Sequence, residues 1–131
     1  MARTPLKKAE ASLRDYALSF PEAVEEFPWD ERVVKVRGKI FVFLGEIEAV
    51  LRVAVKLPVS AEMALTLPFT SPTGYGLGRA GWVTARFAAG DDVPIDLVKE
   101  WIAQSYLAVA PKAVLKAHVA LPIQRPGRSR R

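Results

Sequence analysis

Val33-Val34-Lys35-Val36-Arg37-Gly38-Lys39-Ile40-Phe41-Val42-Phe43-Leu44 is the stretch whose reading decides the fold. Its apolar residues recur with period two on both sides of Gly38-Lys39. That pattern predicts a β-hairpin, with strands over Val33–Arg37 and Ile40–Leu44 and a two-residue type II′ turn at Gly38-Lys39. Such a turn sets Arg37 opposite Ile40 and Val36 opposite Phe41, so Val34, Val36, Phe41 and Phe43 share one face. A third strand, Val50 to Leu57, is expected after a turn at Gly45-Glu46; in it Leu51, Val53, Val55 and Leu57 alternate with Arg52, Ala54 and Lys56. In a later strand, Gly81 to Phe87, Val83, Ala85 and Phe87 alternate with Trp82, Thr84 and Arg86. One face of the resulting sheet is apolar. The other gathers Lys35, Arg37, Arg52, Lys56, Trp82, Thr84 and Arg86, mixed with Ile40 and Val42.

The rest of the chain supplies the cover. Thr4-Pro5 can act as N-cap and first helical residue, and Leu6, Ala9, Leu13, Tyr16, Ala17 and Phe20 then recur at helical spacing up to the break at Pro21. Glu22 to Glu31, with Phe27-Pro28-Trp29 inside it, reads as an acidic connector. A short helix follows Pro58-Val59-Ser60 over Ala61 to Leu67, and a long one opens near Asp91-Asp92 and Pro94 and ends near Pro111. Two amphipathic helices suffice to cover the apolar face. The expected class is therefore α+β, an antiparallel sheet with helices packed on one face and the basic, aromatic-bearing face left open.

Size and composition bound the function. The 131 residues make one domain, expected over residues 1–121, followed by a basic tail over 122–131 with the composition of a disordered segment. The absence of cysteine excludes disulfides, thiol catalysis and thiolate metal sites and fits a reducing compartment. No signal-peptide pattern and no apolar run of spanning length occur, so a cytoplasmic protein with no membrane partner is expected. The net charge of +5 lies in the ends. Arg3, Lys7 and Lys8, with Arg125, Arg128, Arg130 and Arg131, hold seven positive charges; the other twelve basic residues face fourteen acids, leaving the body at −2. A high pI alone is thus weak support for a nucleic-acid partner.

Gly74-Tyr75-Gly76-Leu77-Gly78-Arg79-Ala80-Gly81-Trp82 joins backbone freedom to large recognition side chains. Tyr75 and Arg79 could clasp a phosphate with help from backbone N–H groups. The glycines do not open a helix as a dinucleotide fingerprint must, so no nucleotide cofactor, and no cofactor of any kind, is expected. Lys35, Arg37, Arg52, Lys56 and Arg86 around Trp82 could contact phosphates while the indole stacks on a base. The plain alternative is a solvated face whose long stems shield the strands. Glu22, Glu25, Glu26, Asp30 and Glu31 lack the spacing of a metal loop, and His118, the one histidine, has no nucleophile pattern nearby. No catalytic constellation is visible, which points to a non-enzymatic binding module.

Several ordered motifs resemble the MmcQ/YjbR family: Tyr16-Ala17-Leu18-Ser19-Phe20-Pro21, Glu25-Glu26-Phe27-Pro28-Trp29, the Lys35–Phe41 hairpin, Leu57-Pro58, Gly81-Trp82-Val83, and Glu100–Tyr106 leading to Ala110-Pro111-Lys112. The resemblance covers about residues 10 to 117. It implies a frataxin-like (CyaY-like) fold and DNA binding through a double wing, with no established catalytic residues to carry over. Nucleic acid is accordingly the expected partner, DNA ahead of RNA, bound by a monomer at Lys35, Arg37, Arg52, Lys56, Tyr75, Arg79, Trp82 and Arg86. A protein or small-ligand interaction domain, metal-associated in the frataxin manner, is the alternative. An exposed Trp82 on a basic face would favour the first; a pocket ringed by Tyr75, Arg79, Phe27 and Trp29 would favour the second.

Overall fold

A computed structural model describes residues 5–28 and 31–117. Six antiparallel strands form one open sheet in the order β1-β2-β3-β4-β6-β5: β1 Ala23–Glu26, β2 Arg32–Val36, β3 Lys39–Ile47, β4 Val50–Lys56, β5 Thr70–Pro72 and β6 Trp82–Ala88. The helices are α1 Leu6–Leu18, α2 Ala61–Ala64, α3 Ile95–Val109 and α4 Lys112–Ala117, with a single 3-10 turn at Leu77–Ala80. The α+β expectation holds, and the two long helices lie where the periodicity sets them. The basic tail over 122–131, His118, and Trp29-Asp30 lie outside the described residues.

The helix-covered face carries Val34, Val36, Phe41, Leu51, Val53, Val55, Val83, Ala85 and Phe87, all buried. Leu13 and Ala17 of α1, with Val98, Ile102 and Tyr106 of α3, close over it. An aromatic cluster anchors this side: the Tyr106 ring stacks on Phe20 at 4.6 Å and meets Phe41 edge-on at 5.1 Å. The Tyr106 hydroxyl donates to the Pro21 carbonyl at 2.8 Å, so the ring is buried without stranding its polar end.

Phe43 and Val42 depart from the expected parity. The hairpin turn is Arg37-Gly38, not Gly38-Lys39: Val36 pairs with Lys39, and φ is positive at both Arg37 (51°) and Gly38 (81°), as a type I′ turn requires. Lys35 then pairs with Ile40 and Val34 with Val42, leaving Phe41 in a β-bulge. The extra residue turns Phe41 and Val42 both toward the helices and moves Phe43 to the opposite face. Ser105 on α3 satisfies the polar groups at this irregularity. Its buried hydroxyl donates to the Phe41 carbonyl at 2.5 Å and accepts from the Lys56 N–H at 2.8 Å.

Two further expectations change. β3 runs through Gly45-Glu46 to Ile47, and the turn falls at Glu48-Ala49, two non-glycine residues with φ of 52° and 66°. The acidic connector holds an edge strand, β1, paired along β2 from Ala23 opposite Val36 to Glu26 opposite Val33. Strand parity then distributes its carboxylates. Glu25 faces α1 and bonds Arg14 and Arg32, whereas Glu26 reaches Lys35 on the other face at 2.9 Å.

Candidate functional site

The face opposite the long helices is partly covered. Ala54, Trp82 and Thr84 are each less than a tenth exposed there. The segment between β5 and β6 folds back over this face: the Thr73 N–H donates to the Trp82 carbonyl at 3.1 Å, and the Thr73 and Thr84 hydroxyls are 2.8 Å apart. Glycine makes the fold-back possible at Gly81, where φ is 93° and a Cβ would lie 3.0 Å from the Pro58 backbone.

Between this loop and the sheet lies a cleft of about 640 Å³. Phe43, Ala54 and Thr84 form its floor, and Thr73, Tyr75 and Leu77 form its loop wall. Arg52 and Arg86 line it on one side, with Glu31 as its carboxylate. Strand register explains the shape. Gly45, Arg52 and Arg86 occupy one row across β3, β4 and β6, and Phe43, Ala54 and Thr84 occupy the next. Small residues at 45 and 54 leave the middle of the face low, and nothing lies within 4 Å of where a Gly45 Cβ would sit.

The eight residues singled out from the sequence separate into groups. Arg52, Arg86 and Tyr75 come together at the cleft. Tyr75 is fully solvent-exposed and holds φ at 59°, a left-handed conformation that is costly for a bulky residue. Lys56 and Trp82 pair one row beyond Ala54 and Thr84 on the same face. Arg79 is exposed on the 3-10 turn, outside the cleft lining. Lys35 and Arg37 lie toward the β1 edge and are neutralised: Lys35 by Glu26, and Arg37 by Glu22 at 2.5 Å. That hydrogen bond holds the Arg37 guanidinium above its ordinary pKa. Trp82 is 8% exposed and meets the Phe43 ring edge-on at 5.5 Å. Its indole packs in the sheet and presents no free face for a base.

Arg52, Arg79 and Arg86 form no ion pair among the described residues, in contrast to Arg14, Arg32 and Arg37. Arg86 donates to the Ser71 hydroxyl at 2.7 Å, which aims it along β5 while keeping its charge. Among the described residues no three carboxylate or histidine side chains converge to hold a metal ion. Nor is any described helix long and apolar enough to cross a membrane. Phe27 is exposed with the Arg32 guanidinium 5.5 Å from its ring centre, and it does not line the cleft. Phe43, which strand parity had set on the helix-covered face, and Thr73, which nothing in the sequence singled out, are site residues that the sequence reading missed. The one signal for them was the pair of small residues, Gly45 and Ala54, at open-face positions.

The sheet, its one-sided helical cover and its cationic cleft define a small open-faced α+β domain. The sequence model of the YjbR family matches residues 18–108, and the chain belongs to that family. A crystal structure of the Deinococcus radiodurans protein DR2400, which carries a DUF419 domain, is similar over 99% of this chain and 100% of that one, with a TM-score of 0.69 and 27% sequence identity. No curated protein matches the chain.

Proposed function

We propose that this chain is a non-enzymatic, cytoplasmic binding module that takes nucleic acid, DNA ahead of RNA, as a monomer on the cleft-bearing face. The observation that carries the reading is the contrast among cations. Arg52 and Arg86 stand side by side with no carboxylate bonded to either among the described residues, while Lys35 and Arg37 at the far edge are neutralised. Backbone phosphates supply the anions that such a pair attracts. Lys56 and Arg79 extend the cationic surface, and the Thr73–Gly81 loop serves as the wing with Tyr75 at its tip. Trp82 buttresses the floor from the side through its edge-on contact with Phe43 and does not stack on a base.

A small anionic ligand is the second reading, favoured by the concavity itself, since a volume of about 640 Å³ lies in the range of small-molecule sites. A salt-titrated binding assay on single- and double-stranded DNA and RNA tests the first reading. It compares the full chain with a variant in which Arg125, Arg128, Arg130 and Arg131 are glutamine. Binding that survives this change and falls in Arg52→Thr belongs to the face. Binding that disappears with the tail arginines belongs to the tail, and the face reading fails.

A further inference from the structure

We propose that the cleft seats one unstacked nucleotide, its phosphate against Arg52 and Arg86 and its base over Phe43 and Ala54 beneath Tyr75. The proposal rests on the nucleic-acid reading of this face and narrows it to a pocket for a single unit. Volume is the first argument. About 640 Å³ accommodates a mononucleotide, whereas the stacked base pairs of a duplex cannot enter a recess between one loop and a sheet. A duplex would have to extrude a base, at a cost of a few kcal/mol.

Polarity across the cleft is the second argument. The cations are concentrated in the row of Arg52 and Arg86, while Phe43, Ala54 and Leu77 give an apolar surface beside it. Phosphate and base make opposite demands of a site, and this separation meets both. Glu31 is unsuited to a phosphate but suited to accept from a ribose hydroxyl or an exocyclic amine. Tyr75, exposed and held in a strained conformation at the rim, supplies an aromatic face that is not consumed by packing.

Gly45 allows occupancy to be tested apart from charge. Its Cβ position is open and its φ ordinary, so Gly45→Val adds a β-compatible side chain in the row of Arg52 and Arg86, where the phosphate would sit, and removes no charged group. The full chain is titrated by calorimetry with dAMP and dCMP, the matching nucleosides, a short single strand and its duplex, for wild type, Gly45→Val and Arg86→Ser. The expected results are binding of the mononucleotides, nucleosides weaker by about tenfold or more, as loss of a charge-assisted contact implies, and single strand tighter than duplex. Gly45→Val should lose mononucleotide and single strand together while its unfolding midpoint is kept. Single strand bound with no mononucleotide affinity, or Gly45→Val binding mononucleotide as wild type does, overturns the nucleotide pocket and leaves the nucleic-acid reading standing. Mononucleotide bound without any polymer supports the pocket and removes the nucleic-acid reading. No binding by either overturns both.

Discussion

Arg52 and Arg86 are directly opposite one another on β4 and β6, two like charges on the same face of adjacent strands. Such a pair costs the sheet about 0.2–1 kcal/mol relative to neutral residues. Neither guanidinium has an ion-pair partner among the described residues to offset that cost. Arg52→Thr should therefore raise the urea midpoint by a corresponding amount while weakening single-strand binding by about tenfold, the worth of one bond to a charged group. A variant that lost stability instead would show that Arg52 holds the sheet together rather than serving a ligand.

Trp82 is buried beside Phe43 and is expected to be a residue of the fold. Trp82→Ala should cost about 3 kcal/mol or more, as aromatic truncations in packed sites do. Denaturant unfolding measures it. A stable Trp82→Ala variant with selective loss of binding would return the indole to the recognition surface.

Gly81 and Gly45 should respond oppositely to the same added methyl. At Gly81, φ is 93° and the new Cβ would sit 3.0 Å from Pro58 Cα and 3.2 Å from the Leu57 carbonyl group. Those neighbours are backbone, and the Gly81 carbonyl also accepts the Leu57 N–H at 2.7 Å, so neither side can yield cheaply. Gly81→Ala is expected to destabilise by about 2 kcal/mol or more, from left-handed strain plus contact. Gly45→Ala meets nothing within 4 Å and should be neutral or stabilising by about 0.5–1 kcal/mol, because glycine weakens a strand interior. Thermal melts of the two variants decide the contrast.

The fold was legible where side-chain period alone determines structure, as in β4, β6, α1 and α3. It was illegible where turns are made by residues without a turn signature. Glu48-Ala49 adopts positive φ without glycine, and the hairpin turns at Arg37-Gly38 although arginine is not among the residues a type I′ turn favours at its first central position. Each alternative is locally plausible, and the choice is made by long-range pairing. The bulge at Phe41 has the same origin, since Ser105, sixty-four residues away, bonds its carbonyl. One such shift was enough to put Phe43 on the wrong face. The cleft was half legible. Arg52 and Arg86 followed from parity, but the loop that closes over them is positioned by contacts such as Thr73 with Thr84, which no local pattern announces.

Glu25 ties α1 to the edge of the sheet and gives the fold a predictable acid limit. Its carboxylate accepts from the Arg14 guanidinium at 2.9 and 3.0 Å and lies 2.6 Å from Arg32 Nε, while Arg32 also reaches Glu10. The hydrogen bond from Arg14 is the chief reason its pKa is lowered in the folded state, with the charges of both arginines acting in the same direction and burial opposing them. A carboxylate whose folded pKa is depressed binds protons less readily in the native state than in the unfolded chain. Its stabilisation is therefore complete above the unfolded pKa of about 4.3 and is lost as pH falls toward the lower folded value. Glu25→Gln should cost about 1 kcal/mol at neutral pH, below the usual worth of a bond to a charged group and near the upper end for exposed ion pairs, because Arg14 is solvated. Urea unfolding of both proteins from pH 7 to pH 3 should show their stabilities converging below about pH 4, because only the wild type loses this contribution there. A constant gap across that range would mean that Glu25 acts through packing and amide-compatible hydrogen bonds rather than through its charge.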